Sequence, residues 1–155
     1  MLAADVEYAG FWIRVGAALI DSVIVLAVTF PLLLWIYGWG YFGGDTGLVA
    51  GPSDLLISWI APAIAVIAFW LYKQATPGKM ALSLRVVDAD TGNTMSVGQS
   101  IGRYLGYFVS IIPLCVGLIW VAFDRRKQGW HDKLAGTVVI RSKNHGPEPV
   151  RFEQR

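Results

Sequence analysis

The sequence predicts an all-α membrane protein: two transmembrane helices and a broken re-entrant helical hairpin, with a small two- or three-stranded β-element at the cytoplasmic rim. Three observations carry this reading. Of 155 residues, 55% are hydrophobic and 15% charged, where a soluble domain of ordinary composition carries about 25% charged residues. Two apolar stretches, about 11–37 and 55–72, are long enough to cross a bilayer. Arg14 apart, every one of the 13 basic residues lies from Lys73 onward, an asymmetry that places both termini in the cytoplasm and the 38–53 loop outside.

The first span runs from Phe11 to Tyr37 and contains two ionisable residues, Arg14 and Asp21. At 1.5 Å per residue it is about 40 Å long, and Pro31 is a candidate kink. Arg14 and Asp21 lie seven residues apart and share a helix face. A carboxylate at the depth of Asp21 costs at least about 2.5 kcal/mol on insertion scales, so it is expected to have a partner or a task. The residues ahead of this span, among them Asp5 and Glu7, lack the basic character of a signal peptide. Trp35, Tyr37, Trp39 and Tyr41 form the aromatic belt expected at the outer interface.

In the second span, Leu55 to Tyr72, Ala61, Ala65 and Ala68 are expected to form a small-residue face against the first helix. Thr76-Pro77-Gly78-Lys79 then reads as a turn, and Ala81 to Val87 alternates like a strand. Gly136 to Arg141 is a second β-branched run, expected to pair with the first.

The segment 100–123 could cross the membrane once, but that would carry Asp124-Arg125-Arg126-Lys127 to the outside and part the two strands. A break at Ile112-Pro113 leaves two arms of about 18 Å each, too short to span. A re-entrant hairpin is therefore expected, with a single tilted crossing as the alternative. Gly98, Gly102, Gly106 and Ser110 suggest a packing seam along the first arm. Cys115, which has no second cysteine to pair with, is expected to pack as a small apolar residue. The tail 144–155 reads as disordered beyond a single domain, 1–143.

No catalytic pattern survives inspection. Gly98-Gln99-Ser100-Ile101-Gly102 matches the G-x-S-x-G nucleophile elbow, with His131 downstream, but that motif needs an α/β sheet that this chain is too short of strands to build. H-E-x-x-H, paired cysteines and a P-loop are absent. No enzyme activity, cofactor, metal site or nucleic-acid partner is expected. Arg125, Arg126 and Lys127 read as a topology signal in contact with lipid headgroups, His131 as a hydrogen-bonding residue of the rim, and Asp132 as the natural partner of Arg14.

Four blocks in order resemble the RDD family of bacterial membrane proteins: Tyr8-Ala9-Gly10-Phe11-Trp12-x-Arg14 leading to Asp21; Thr76-Pro77-Gly78-Lys79 with Leu84-Arg85-Val86-Val87-Asp88; Arg103-Tyr104; and Trp130-His131-Asp132-Lys133-Leu134-Ala135-Gly136-Thr137. The resemblance implies an inner-membrane protein for which transport has been suggested. It matches Arg14 and Asp21 to the family's Arg and first Asp, and Asp132 of the His-Asp pair to the second Asp, with Asp124 as the alternative.

Two functions are compatible with these residues. In the first, the chain is a subunit of an ion or small-solute transporter, with cation/proton exchange as one form of it. Asp21, left without a close cation, would carry a proton or a monovalent cation; Arg14, Asp132 and Asp124 would gate the path, supported by His131, Lys79, Arg103 and Pro113. So small a chain would then work as a homo-oligomer or with a partner membrane protein. In the second, it is a non-transporting assembly or stability factor in which the same charges lock helix packing and the rim sheet docks a partner.

Overall fold

The computed structural model describes residues 6–43 and 49–142; the tail 144–155 lies outside the described residues. Strand β1 (Val6–Tyr8) leads into helix α1 (Phe11–Tyr37), an unbroken helix containing Pro31 and followed by a short 3-10 turn at Trp39–Gly43. Helix α2 (Pro52–Lys73) returns. Its segment Leu55–Ile60 is wound as a π-helix just ahead of Pro62. Pro62 has no N–H to donate and its ring crowds the preceding carbonyls, and the wider turn relieves both. Both helices are long and apolar enough to cross a membrane.

Helix α3 (Pro77–Ala81) and strand β2 (Leu84–Asp88) follow. The Thr76-Pro77-Gly78-Lys79 turn of the sequence reading is thus the start of a short helix, which delays the strand to Leu84. Pro77 at the first helical position presets the backbone angle that a helix needs. Helix α4 (Val97–Ile111) opens with a capping box: the Ser96 hydroxyl accepts from the Gln99 amide (3.2 Å), and the Gln99 side chain accepts from the Ser96 amide (2.9 Å). Gln99 also donates to Asp88 at 2.5 Å, tying α4 to the end of β2.

Helix α5 (Val116–Ala122) leaves α4 at 113° across a break of a few residues. Pro113 cannot continue the ladder, and Leu114 and Cys115 take left-handed backbone angles to reverse the chain. This tip is apolar and exposed, Ile112 at 80% and Leu114 at 89%. Cys115 is also exposed there, which corrects the expectation that it packs.

Helix α6 (Trp130–Ala135) ends at Gly136, whose positive φ of 62° closes its last turn, and strand β3 (Thr137–Ser142) completes the fold. The sheet order is β1-β3-β2, both pairings antiparallel. The strands at 84–88 and 137–142 pair with each other, Val86 opposite Val139, and β1 adds the third strand. Ala9, Ala17, Trp70, Leu84, Val86, Met95 and Val139 form the core, at the end of the helices where the sheet lies.

The buried face of α4 carries Ser100, Arg103, Gly106 and Ser110. The expected seam holds only for Gly106 and Ser110: Gly98 is exposed, and a methyl group at Gly102 would meet nothing within 4 Å. Of the alanine face expected on α2, Ala61 and Ala65 line an open cavity between α2 and α1 instead of packing on α1.

Candidate functional site

Asp132 is the centre of a buried ion network. It stands in the first turn of α6, where its Oδ2 accepts the Gly129 amide at 2.9 Å and meets Arg14 Nη1 at 2.6 Å. Its Oδ1 is ion-paired to Arg103 Nη1, and neither Arg103 nor Asp132 has exposed side-chain surface. Arg14, on the first turn of α1, also donates to the carbonyls of Ala9 (3.0 Å) and Lys127. Arg103 donates to Thr137 Oγ1 at 2.6 Å, and its guanidinium lies 5.3 Å from the centre of the Trp70 ring and 5.8 Å from that of Tyr107. One carboxylate thus fastens α1, α4 and α6 together, with β3 held through Thr137. Burial alone would raise the Asp132 pKa, but the charges of Arg103 and Arg14 outweigh it and hold the carboxyl well below the usual carboxylate range.

His131 is buried beside it. Its ring stacks on Tyr107 (4.1 Å between centres), which in turn stacks on Trp70 (6.1 Å). Burial, reinforced by the nearby Arg103, Arg14 and Lys79 charges, pushes its pKa down to about 3 against the pull of Asp132, so the imidazole is neutral at physiological pH. Ser110 Oγ lies 3.3 Å from His131 Nδ1, and His131 Nε2 lies 3.4 Å from Asp132 Oδ1. The order Ser-His-Asp is that of a nucleophilic triad, but the protons are placed otherwise: the Ser110 hydroxyl donates to the Gly106 carbonyl (2.9 Å) and accepts from the His131 amide (3.1 Å). Ser100, the serine of the G-x-S-x-G stretch, sits inside α4 and donates to the Ser96 carbonyl.

Asp21 makes a second fastening. Its Oδ2 accepts from Thr76 Oγ1 at 2.5 Å and its Oδ1 from the Gly78 amide at 2.7 Å. The carboxylate therefore caps α3 from outside, satisfying an N–H that the first turn leaves without a helical partner. The contact requires glycine at 78: a Cβ there would strike the Ala17 carbonyl and approach Asp21 Cγ to 2.8 Å. Asp21 was expected to have no close cation, and among the described residues none pairs with it; the partners it does have are a hydroxyl and a backbone amide.

Asp21, Thr76 and Lys79 line one end of a cavity of about 650 Å³ between α1, α2 and α4, whose walls are otherwise mostly apolar. Lys79 is 9% exposed and holds its ammonium 5.8 Å from the centre of the Trp70 ring.

Asp124 does not compete for Arg14. It pairs with Lys133 at 2.5 Å and accepts the amides of Arg126 and Gln128, and the hydrogen bond from Lys133 foremost, against a smaller opposing effect of burial, holds its pKa below the usual range. Pro113 lies at the α4–α5 bend and makes no part of the ion network.

A third carboxylate was not singled out by sequence reasoning. Asp54, buried near the start of α2, accepts from Tyr41 Oη (2.9 Å), the Ala50 amide (2.8 Å) and Ser58 Oγ (2.6 Å), while its own amide donates to Tyr37 Oη (3.0 Å). The available signal was Asp54 two residues after Pro52 with Ser58 one turn later. Among the described residues no group of three or more His, Cys, Asp or Glu is placed to hold a metal ion.

A family model for the RDD family matches residues 8–136. The chain belongs to the RDD family. Among its relatives, YxaI of Bacillus subtilis is 34% identical over 148 residues, 85% of this chain and 96% of that protein. YteJ, an uncharacterized membrane protein of Bacillus subtilis, is 27% identical over 88% of this chain and 82% of its own length. A Rickettsia prowazekii protein is 43% identical over 76 residues, and the match spans 42% of that protein. No solved structure matches. Family membership, the two long apolar helices and the relative's name agree on an integral membrane protein.

Proposed function

We propose that this RDD chain is a membrane-embedded assembly module that fixes a helix arrangement and docks a partner membrane protein, and that it does not carry ions through Asp21. The observation that supports this reading is the state of its carboxylates. Asp132 is spent on two arginines and Asp21 on two donors across to α3. A carrier carboxylate must exchange its partners for a transported ion, and each exchange here would undo a helix-to-helix contact.

In this reading the chain sits in the bacterial inner membrane with both termini cytoplasmic, as its basic residues favour. The α4–α5 pair dips into the bilayer and returns, keeping its exposed apolar tip in lipid and all three strands on one side. The outer amides of β2 are taken up within the chain, Val86 by the Gln74 carbonyl and Asp88 by that of Asn93, so the sheet offers the outer edge of β1 for docking a partner.

One observation favours the second reading, ion or solute transport by a homo-oligomer: Asp21 lines the cavity. Flux separates the two. Purified, folded protein in liposomes is expected to move protons and monovalent cations no faster than protein-free vesicles. Sustained flux by the chain alone would restore Asp21 as a carrier site and overturn the assembly reading.

A further inference from the structure

The cavity between α1, α2 and α4 contains one charge that the protein leaves unanswered. Asp21 at its polar end has a donor on each oxygen. Lys79 does not have the equivalent: it is nine-tenths buried, and among the described residues no carboxylate or acceptor lies within bonding distance of its ammonium, which meets only the Trp70 ring face. The ammonium opens on the cavity, where an anion can meet it away from bulk water. The surrounding charges point the same way. Arg14, Lys79 and Arg103 face Asp21 and Asp132, an excess of one positive charge, and His131 is neutral at physiological pH.

We propose that this cavity holds one acyl chain of an anionic phospholipid, with the phosphate at Lys79 and the chain running along the apolar wall toward Leu32 and Ile57. Three features select that occupant. The cavity extends from Asp21 to Leu32 on α1, about 17 Å, and its other lining residues include Val25, Val28, Ala65 and Phe108. Its volume of about 650 Å³ suits a chain-like ligand. A partner helix about 10 Å across would need roughly 1,300 Å³ over the same length. Lys79 stands near the end of α2 marked by the exposed Tyr72 and Lys73, an aromatic and a basic residue of the interface type, so its ammonium lies at headgroup depth. The proposal stands on the cavity and Lys79 and is independent of whether Asp21 carries ions.

The test is native mass spectrometry of the full chain in detergent, titrated with phosphatidylglycerol and, in parallel, with phosphatidylcholine and a long-chain fatty acid. One phosphatidylglycerol is expected to bind at least about tenfold more tightly than phosphatidylcholine. Lys79→Met, which keeps most of the side-chain volume, is expected to abolish that preference. Because Lys79 is buried, Ala61→Phe and Ala65→Phe provide a second check. Both fill the cavity from an exposed wall, and both are expected to reduce phosphatidylglycerol binding about tenfold or more with unchanged thermal unfolding. Equal affinity for the two phospholipids, tighter binding of the fatty acid than of phosphatidylglycerol, or full binding by the filled-cavity variants would each overturn the proposal.

Discussion

Replacing Asp132 with Asn removes one negative charge from a site where two guanidinium groups converge. Arg103 and Asp132 have no exposed side-chain surface and Arg14 very little, so water cannot take over the lost interaction. Asn can still accept the Gly129 amide, and the substitution therefore isolates the charge from the helix cap. Removing one partner of a buried pair costs about 3–5 kcal/mol, because the stranded charge stays buried. A domain of this size is stable by about 5–15 kcal/mol, so Asp132→Asn is expected to remove about a fifth or more of the total. Equilibrium unfolding in detergent, followed by far-ultraviolet circular dichroism, measures the loss. The triple variant Arg14→Met, Arg103→Leu, Asp132→Leu removes all three charges together, and it is expected to recover most of the stability. An Asp132→Asn protein within about 1 kcal/mol of wild type would refute the claim that this network holds the helices.

Other substitutions probe the remaining contacts. Gly78→Ala places a methyl group against the Ala17 carbonyl and Asp21, and is expected to destabilise by about 1–3 kcal/mol, read in the same unfolding assay. Asp54→Ala removes the acceptor of the Ala50 amide and of the Ser58 hydroxyl and one hydrogen bond from Tyr41, and is expected to cost roughly 2 kcal/mol or more and to loosen the 49–58 segment toward limited proteolysis. Acidification supplies a test without mutation. His131 has a folded-state pKa of about 3 against 6.5 when unfolded, so unfolded chains bind a proton that folded ones refuse. Stability is then full above pH 6.5 and falls progressively as pH drops from 6.5 toward 3. Below about pH 3.8 Asp132, also depressed, adds to the loss in the same direction. His131→Gln is expected to flatten the upper part of that profile.

The long helices were legible because an apolar run of bilayer length has few alternatives: α1 occupies 11–37 as read from sequence. The pairing of β2 with β3 was legible from their β-branched content. Strand β1 was not, since three residues give too short a run to show a period of two, and only the free edge of β3 makes them a strand. The α2 start was placed late at Leu55 because Pro52 and Asp54 read as loop, whereas Pro52 begins the helix and Asp54 is held by four hydrogen bonds through its side chain and amide. The capping box Ser96-Val97-Gly98-Gln99 was present in the sequence but overlaps the G-x-S-x-G stretch, which drew attention to Ser100 instead.

At the site, Arg14 and Asp132 were expected to meet and lie 2.6 Å apart, since charge at opposite ends of a chain has few partners at one rim. The larger role of Arg103 was not legible. Arg103 was placed only as a support of the charge network, and nothing local shows that its face closes over Trp70, Tyr107 and Asp132. Asp21 was read as lacking a close cation; which groups hold it was not legible, because its two donors come from residues 76 and 78, a long-range contact that depends on Gly78 fitting beneath α1.

That contact is open to direct measurement. Native-state hydrogen exchange at the Gly78 amide, in wild type and in Asp21→Asn, reports whether the carboxylate fastens α3 to α1. The Gly78 amide is expected to be protected in wild type and to exchange at least about tenfold faster in Asp21→Asn, while amides in the middle of β3 keep their protection. Equal exchange at Gly78 in the two proteins would contradict the assignment of Asp21 as a fastening and reopen its reading as an ion-carrying group.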